Sequence, residues 1–157
     1  MRDVKGLKIA VPEEFFGDAI SDEVKTSVEQ VLKFYVSQGA TFEFVSMKSF
    51  DAALASYYII APAEASANLS RFDGVRYTYR SSNAESLKDM ITNSRGEAFG
   101  DEVKRRILLG TFVLSSGYYD AFYLKAQKAR DLIKNEFNTI FQKFDVVLSP
   151  TTPTTAF

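Results

Sequence analysis

A basic triplet, Lys104-Arg105-Arg106, is the part of the sequence best suited to bind an anion. An arginine guanidinium matches a carboxylate through two parallel hydrogen bonds, a geometry that lysine cannot provide. Each arginine also has an acidic residue four positions earlier, Asp101 for Arg105 and Glu102 for Arg106, which is the spacing of ion pairs along one helix face. Spacing alone therefore favours a self-paired or solvated charged face over an anion site.

A small polar run, Ser115-Ser116-Gly117, resembles the surroundings of a catalytic serine. The chain contains no His and no Cys, and no Ser-x-x-Lys motif occurs in it, so the usual groups that activate a serine are missing. We interpret the run as a small-residue break between two helices. The same absences exclude, within this chain, a cysteine nucleophile, a disulfide framework and the common zinc sites.

The composition is typical of a globular protein that does not cross a membrane. Of 157 residues, 46% are hydrophobic and 25% are charged. The longest apolar run, residues 57–63, falls far short of the roughly 20 residues of a membrane helix, and the chain opens with charged residues rather than an apolar signal segment. We therefore expect a cytoplasmic location and no membrane partner. The net charge of −1 disfavours direct RNA binding, which relies on an excess of Lys and Arg.

The elements that must position these residues begin with a β-α-β unit. Residues at about 7–11 and 41–45 are typical of strands, and the helix between them is capped by Ser21 and ended by Gly39. A third strand is expected at about 145–148 and, because it lacks alternation, should be covered on both faces. The fold class is therefore α/β, helix-rich with a small mixed or parallel sheet.

The Ala-rich stretch 49–68 is predicted to be helical, but it contains Pro62, which lacks the amide hydrogen that a helix interior uses. Two short helices or one bent helix are the alternatives. Residues 69–80 are predicted to form a turn that leads into an ordered loop or a short strand.

Three further helices are predicted from capping and periodicity. Ser82 matches a capping box that opens a helix to about Asn93, with Gly96 ending it. A second helix begins at Asp101, and the longest covers residues 120–142. Only three strands would then serve at least five helices, which indicates either a piece of a larger α/β protein or a small sheet in a mainly helical domain.

Five stretches carry a resemblance that periodicity cannot supply. They are YYIIAPAEAS at 57–66, NLSRFDGVRY at 68–77, FGDEVKRRI at 99–107, LSSGYYDA at 114–121 and LSPTTPTTAF at 148–157. Together they resemble the A subunits of the glutamyl-tRNA and aspartyl-tRNA amidotransferases, which belong to the amidase-signature family. The similarity covers essentially the whole chain.

The resemblance implies a partial amidase-signature fold. Residues 1–157 would be a single segment, from the central to the C-terminal portion of an amidase domain. In that family a Ser–cis-Ser–Lys triad lies before a segment of this kind, and an aspartate that meets the substrate amino group lies after it. The chain is therefore expected to be a fragment that is inactive by itself.

The resemblance also implies an activity for the whole protein, the hydrolysis of glutamine. A serine attacks the side-chain amide, an acyl-enzyme forms, and ammonia passes to the B subunit. There Glu-tRNA(Gln) or Asp-tRNA(Asn), activated with ATP and Mg²⁺, is converted to the amide. The implied partners are the B and C subunits, glutamine, and charged tRNA held through the B subunit, and no cofactor is expected in this segment.

Two residues fall on substrate-pocket positions by motif match. Arg106 would hold the α-carboxylate of glutamine, and Tyr57 would line the same pocket. Two other positions depart from the family pattern. Thr78 stands where a glycine is common, and Ala98 replaces a glycine in the loop before Phe99.

Two other functions remain as alternatives. The chain could be a non-catalytic module for the assembly of the subunits, since aromatic residues make up 14% of it and are enriched in protein interfaces. It could also belong to another amidase-signature amidohydrolase that acts on a different amide.

Overall fold

The computed structural model describes residues 4–156, which contain five α-helices and three short strands. In chain order these are β1 (Lys8–Pro12), α1 (Asp22–Ser37), β2 (Thr41–Val45), α2 (Ala53–Leu69), α3 (Leu87–Ala98), α4 (Asp101–Val113), α5 (Lys125–Ile140) and β3 (Val146–Val147). The residues divide into two compact units. The second runs from Ala52 to Arg130, and the first comprises the chain before and after it. No helix within residues 4–156 is both long enough and apolar enough to cross a bilayer.

The first unit is built on a parallel sheet with strand order β2-β1-β3. Lys8 is in register with Thr41, and Ile9 with Val146. The central strand β1 is buried because it pairs on both edges and packs on both faces. This confirms the predicted helix-rich α/β fold. Of the two predicted sheet types, mixed or parallel, the sheet is parallel.

Helix α1 follows the predicted local signals. Ser21 Oγ accepts a hydrogen bond from the Val24 amide at 3.4 Å, and Gly39 after the helix adopts a φ of 93°, which favours glycine. Of the apolar stripe of α1, only Leu32 is buried, and it packs against Ile9 and Val11 of β1. The helix therefore covers one face of the sheet along a narrow line.

The other face of the sheet is covered by aromatic residues and the end of α5. Ala10 and Met47 are fully buried there beside Ile140. The ring of Phe15 lies 4.3 Å from that of Phe50, centroid to centroid. Aromatic packing of this kind supplies much of the buried area of a small core.

The prediction for the third strand was too long and wrong about its covering. Strand β3 contains only Val146–Val147, and Val146 is 39% exposed. The reason is its position: within residues 4–156, β3 pairs with β1 alone and lies at the edge of the sheet. At an edge, one side of the strand has no neighbouring strand whose side chains could shield it, so Val146 stays exposed, while Val147 packs beside Ala10 and Met47.

The second unit is organised by α2, which is one helix despite Pro62 in its interior. The prediction of two short helices is therefore wrong. Both Pro62 and Ala63 are buried, and this tertiary packing offsets the missing backbone hydrogen bond.

Helix α4 packs directly on the backbone of α2. Gly110 of α4 faces Pro62 so closely that a Cβ at position 110 would lie 2.0 Å from the Pro62 carbonyl oxygen. The hydroxyls of Ser66 and Thr111 lie 2.8 Å apart and join the two helices by a hydrogen bond. Only glycine permits this approach, since every other residue carries a Cβ.

The start and end of α3 were predicted wrongly. The residue that caps the helix is Ser86 rather than Ser82, and its Oγ accepts from the Asp89 amide at 3.1 Å. Gly96 lies inside the helix, which continues to Ala98, so Ala98 is helical rather than part of a loop. Serine followed three residues later by an acidic residue occurs twice in this stretch, and sequence alone does not choose between them.

The predicted helix over 120–142 begins as a π-helical turn, Tyr119–Leu124, and continues as α5 to Ile140. Tyr123 in this turn is buried, and its hydroxyl donates to Glu64 Oε1 of α2 at 2.9 Å. The hydrogen bond gives the buried phenol a partner and ties the turn to α2.

Residues between α2 and α3 form an ordered loop without a strand, which agrees with one of the two predicted outcomes. Glu97 of α3 accepts hydrogen bonds from the hydroxyls of Tyr79 at 2.6 Å and Ser81 at 2.9 Å. Thr78 has a φ of 78°, a left-handed conformation that is costly for a β-branched side chain. This is the position at which the resemblance expects glycine.

We predict that Gly110→Ala destabilises the protein by about 1–3 kcal/mol, because the added methyl group must push α2 and α4 apart. The matched control is Gly96→Ala in the interior of α3, where an added Cβ meets nothing within 4 Å. That change should stabilise by up to about 1 kcal/mol through helix propensity. Urea unfolding measures both, and a Gly110→Ala protein as stable as Gly96→Ala would contradict the close contact.

We predict that Thr78→Gly stabilises the protein by about 1 kcal/mol, because relief of roughly 1–3 kcal/mol of backbone strain exceeds the entropy that glycine adds to the unfolded chain. Ser82→Gly is the control, since Ser82 is exposed in the same loop and has no positive φ. It should destabilise slightly. Thermal unfolding compares the two, and equal shifts of Tm would argue against strain at Thr78.

Candidate functional site

Packing of α2 on α4 brings the two predicted site residues together. Arg106 Nη1 donates a hydrogen bond to the Tyr57 hydroxyl oxygen at 3.2 Å, although the residues are 49 positions apart. Arg106 lies one helical turn before Gly110, on the face of α4 that meets α2. The close backbone contact at Gly110 thus sets the distance at which a side chain of α4 meets one of α2.

The same arginine is held by a carboxylate of its own helix. Arg106 Nε donates to Glu102 Oε1 at 3.0 Å, while Arg105 binds the other oxygen, Oε2. The predicted pair of Glu102 with Arg106 is therefore confirmed, but that of Asp101 with Arg105 is wrong. Asp101 Oδ1 lies 3.8 Å from Lys104 Nζ instead. On a helix, residues three positions apart are neighbours just as residues four positions apart are.

The electrostatics keep both groups of the pair charged. The hydrogen bond to Tyr57 and then the bond to Glu102 raise the pKa of Arg106 above its ordinary value. The hydrogen bond from Arg106 in turn holds the pKa of Glu102 below its ordinary value. Two arginines share one carboxylate, so the cluster carries a net positive charge around neutral pH.

The cluster is open to a ligand. The side chain of Arg106 is 41% exposed and Tyr57 is 49% exposed. Glu102 and Tyr57 occupy Nε and one hydrogen of Nη1, and Nη2 has no hydrogen-bond partner among residues 4–156. Nη2 and the remaining hydrogen of Nη1 are therefore the donors that Arg106 has left for a carboxylate.

This arrangement can bind an anion but cannot transfer protons in the usual pH range, because an arginine with a raised pKa remains protonated. Within residues 4–156, no group of three or more His, Cys, Asp or Glu side chains is placed to hold a metal ion.

The Ser115-Ser116-Gly117 run has the structural role predicted for it. Ser115 Oγ donates to the Phe112 carbonyl oxygen at 2.7 Å and thereby satisfies an acceptor at the end of α4. Gly117 adopts a φ of 89°, which reverses the chain before the π-helical turn. The run is a break between helices.

Comparison with known proteins gives the family. Residues 2–157 match the amidase family. The chain belongs to that family. It is 62% identical over 155 residues to the A subunit of the glutamyl-tRNA(Gln) amidotransferase of Halothermothrix orenii and 60% identical over 156 residues to that of Oceanobacillus iheyensis. Each match covers 99% of this chain and 32% of the relative, so the chain spans about a third of the length of these proteins.

Solved structures of amidases agree with the fold. The crystal structure of the A subunit of the glutamyl-tRNA(Gln) amidotransferase from Thermotoga maritima superposes with a TM-score of 0.66 at 38% identity, covering 99% of this chain and 29% of that one. A bacterial aryl acylamidase of the amidase-signature family superposes with a TM-score of 0.53 at 17% identity, which bears on the fold alone. The resemblance inferred from the five sequence stretches is confirmed, and so is the partial amidase-signature fold.

One member of the cluster was seen in the sequence without its full significance. Glu102 has the spacing of an ordinary helical ion pair with Arg106. That it also pairs with Arg105 was not predicted from the sequence. The contact between Tyr57 and Arg106 has no periodic signal, because it joins two helices that are separated by α3 along the chain. Only a family motif could have pointed to both.

Proposed function

We propose that this chain forms the substrate-pocket and scaffold part of the glutamine-hydrolysing A subunit of a tRNA amidotransferase. In this proposal Arg106 binds the α-carboxylate of glutamine, and Tyr57 lines the same pocket. The observation that carries it is the Arg106 guanidinium, held by Tyr57 at Nη1 and by Glu102 at Nε, with Nη2 unpaired among residues 4–156. The amidotransferase relatives, up to 62% identical, support the choice of reaction.

A guanidinium held in this way suits an amino acid better than a simple amide. The α-carboxylate distinguishes glutamine from amides without a charged group, because the fixed fork is left unpaired when no carboxylate is present. The reacting side-chain amide lies at the other end of glutamine. Arg106 therefore contributes to binding and orientation, while the covalent steps belong to other groups.

We assign those covalent steps to the part of the longer relatives that this chain does not match. There a serine would attack the side-chain amide and form an acyl-enzyme, and a lysine and a second serine would complete the triad. The ammonia released would pass to the B subunit for the amidation of Glu-tRNA(Gln) or Asp-tRNA(Asn) with ATP and Mg²⁺. The B and C subunits, with the charged tRNA held on the former, are thus the proposed partners in the cytoplasm.

A role in assembling the complex is a second candidate, favoured by the exposed apolar face of α4. Leu108 is 71% exposed, and Leu109 and Phe112 are also exposed. Aromatic and aliphatic side chains on one helix face are typical of interface cores. Pull-down of the B or the C subunit with the protein as bait, and loss of that binding in Leu108→Lys, would support this role, whereas unchanged binding would count against it.

We predict that Arg106→Ala lowers kcat/KM for glutamine roughly 10- to 150-fold, which corresponds to about 1.5–3 kcal/mol for a hydrogen bond to a charged group. Lys104→Ala is the control, because it removes a positive charge from the same helix but contacts neither Tyr57 nor Glu102. Glutaminase assays on the full-length protein in its complex measure the change. Amidation supplied with ammonium salt instead of glutamine should be unaffected, and an unchanged kcat/KM for glutamine in Arg106→Ala would rule out the role of this residue.

We predict a smaller effect for Tyr57→Phe, which keeps the ring but removes the oxygen that accepts from Arg106. KM for glutamine should rise about 2- to 10-fold, the range expected for one hydrogen bond worth about 0.5–1.5 kcal/mol. Tyr58→Phe is the matched control. Tyr58 packs edge-on against Tyr57, with ring centroids 5.3 Å apart, but within residues 4–156 it forms no hydrogen bond with Arg106. Equal effects of the two substitutions would contradict a specific role for the Tyr57 hydroxyl.

A further inference from the structure

We infer that Glu102 is a positioning residue for Arg106, fixing the plane of the guanidinium so that its outer edge is presented to the carboxylate of the substrate. The inference rests on the proposed function of Arg106 and adds a residue to it. Glu102 does not touch the substrate in this arrangement. It acts through the arginine.

The geometry defines what Glu102 does. Its Oε1 accepts from Arg106 Nε at 3.0 Å, and the Tyr57 oxygen accepts from Nη1 at 3.2 Å. The guanidinium is planar, and two contacts at different nitrogens, one from each helix, stop it from turning about its own side-chain bonds. With Nε occupied, a carboxylate ligand can pair in parallel only with Nη1 and Nη2.

This role differs from that of a stabilising ion pair. Arg106 and Glu102 are 41% and 56% exposed, and pairs with such exposure contribute little to folding. A flexible arginine, however, must be ordered before it can grip a ligand with two hydrogen bonds. When Glu102 already holds the arginine in place, substrate binding no longer includes the entropic cost of ordering it. For one long side chain, the gain in affinity is roughly three- to tenfold.

The role depends on where the acceptor oxygen of residue 102 lies rather than on its charge. An amide oxygen at position 102 could still accept from Nε, so Glu102→Gln should keep most of the orientation. Glu102→Ala leaves Nε without its partner and lets the guanidinium move. The negative charge itself opposes an incoming carboxylate, so removal of the charge alone is not expected to weaken binding of glutamine.

A double-mutant cycle on the full-length protein in its complex tests the inference. Glu102→Ala should raise KM for glutamine about three- to tenfold with kcat within about twofold, because the contact is remote from the reacting amide. Glu102→Gln should recover most of the loss. In an Arg106→Ala background, the further change Glu102→Ala should have almost no effect, since the residue acts through the arginine.

The matched control is Asp101→Ala, which removes an acidic residue from the same turn of α4. Asp101 pairs with Lys104 at 3.8 Å and not with Arg106. It should leave KM unchanged. Ammonium-dependent amidation and thermal unfolding of each variant distinguish a loss of orientation from a loss of folding. If Glu102→Ala fails to fold, Glu102→Asp replaces it in the cycle, because the shorter side chain shifts the acceptor oxygen.

The possible failures are distinct. If Arg106→Ala itself leaves kcat/KM for glutamine unchanged, the proposed function fails and the inference falls with it. If Arg106→Ala lowers kcat/KM for glutamine but Glu102→Ala leaves KM unchanged, the inference alone is overturned. An equal rise of KM from Glu102→Ala in both backgrounds would also overturn it, because Glu102 would then act independently of Arg106.

Discussion

The Pro62 carbonyl of α2 and the α-carbon of Gly110 in α4 meet with no side chain between them, and the rest of the second unit depends on this contact. A Cβ at position 110 would overlap the carbonyl oxygen, so the two helices can come this close only with glycine there. Because Arg106 lies one turn before Gly110, the same approach lets its side chain reach Tyr57 across the helix pair. The geometry of the candidate site, which two helices form together, is thus set by a backbone contact that contains no functional side chain.

The charges of the cluster suit the proposed binding of an anion more than they stabilise the fold. One carboxylate, that of Glu102, lies between two arginines, and all three side chains remain in contact with solvent. In water such pairs are screened and contribute little free energy to folding. In the proposed role their effect is on orientation, since the carboxylate holds Nε of the Arg106 guanidinium while the cluster keeps a net positive charge.

Local signals in the sequence were sufficient for much of the fold. The Ser21 cap and Gly39 set the limits of α1, and the strands on either side of it pair in parallel, as expected for strands joined through a helix. The errors lie where tertiary packing overrides a local preference. Pro62 continues a helix because it is buried against another one, and Gly96 sits inside α3 without ending it.

The candidate site was less accessible to pattern analysis. Spacing treats Arg105 and Arg106 alike, since both have an acidic residue four positions earlier. The proposed role of Arg106 rests on family resemblance, and the contact with Tyr57 that supports it joins residues 49 positions apart. No periodicity within one helix encodes a meeting between two helices.

The second anchor is what separates Arg106 from an ordinary surface arginine. Arg105 has a single carboxylate partner on its own helix and is 74% exposed, so its guanidinium keeps much of its freedom. Arg106 has the same carboxylate and, in addition, a phenol from a different helix, so its position is set by the packing of the unit as well as by the local helix. An ion pair of helical spacing therefore indicates a site only when one of its members is also held from outside the helix, because only then does the fold determine where the charge points.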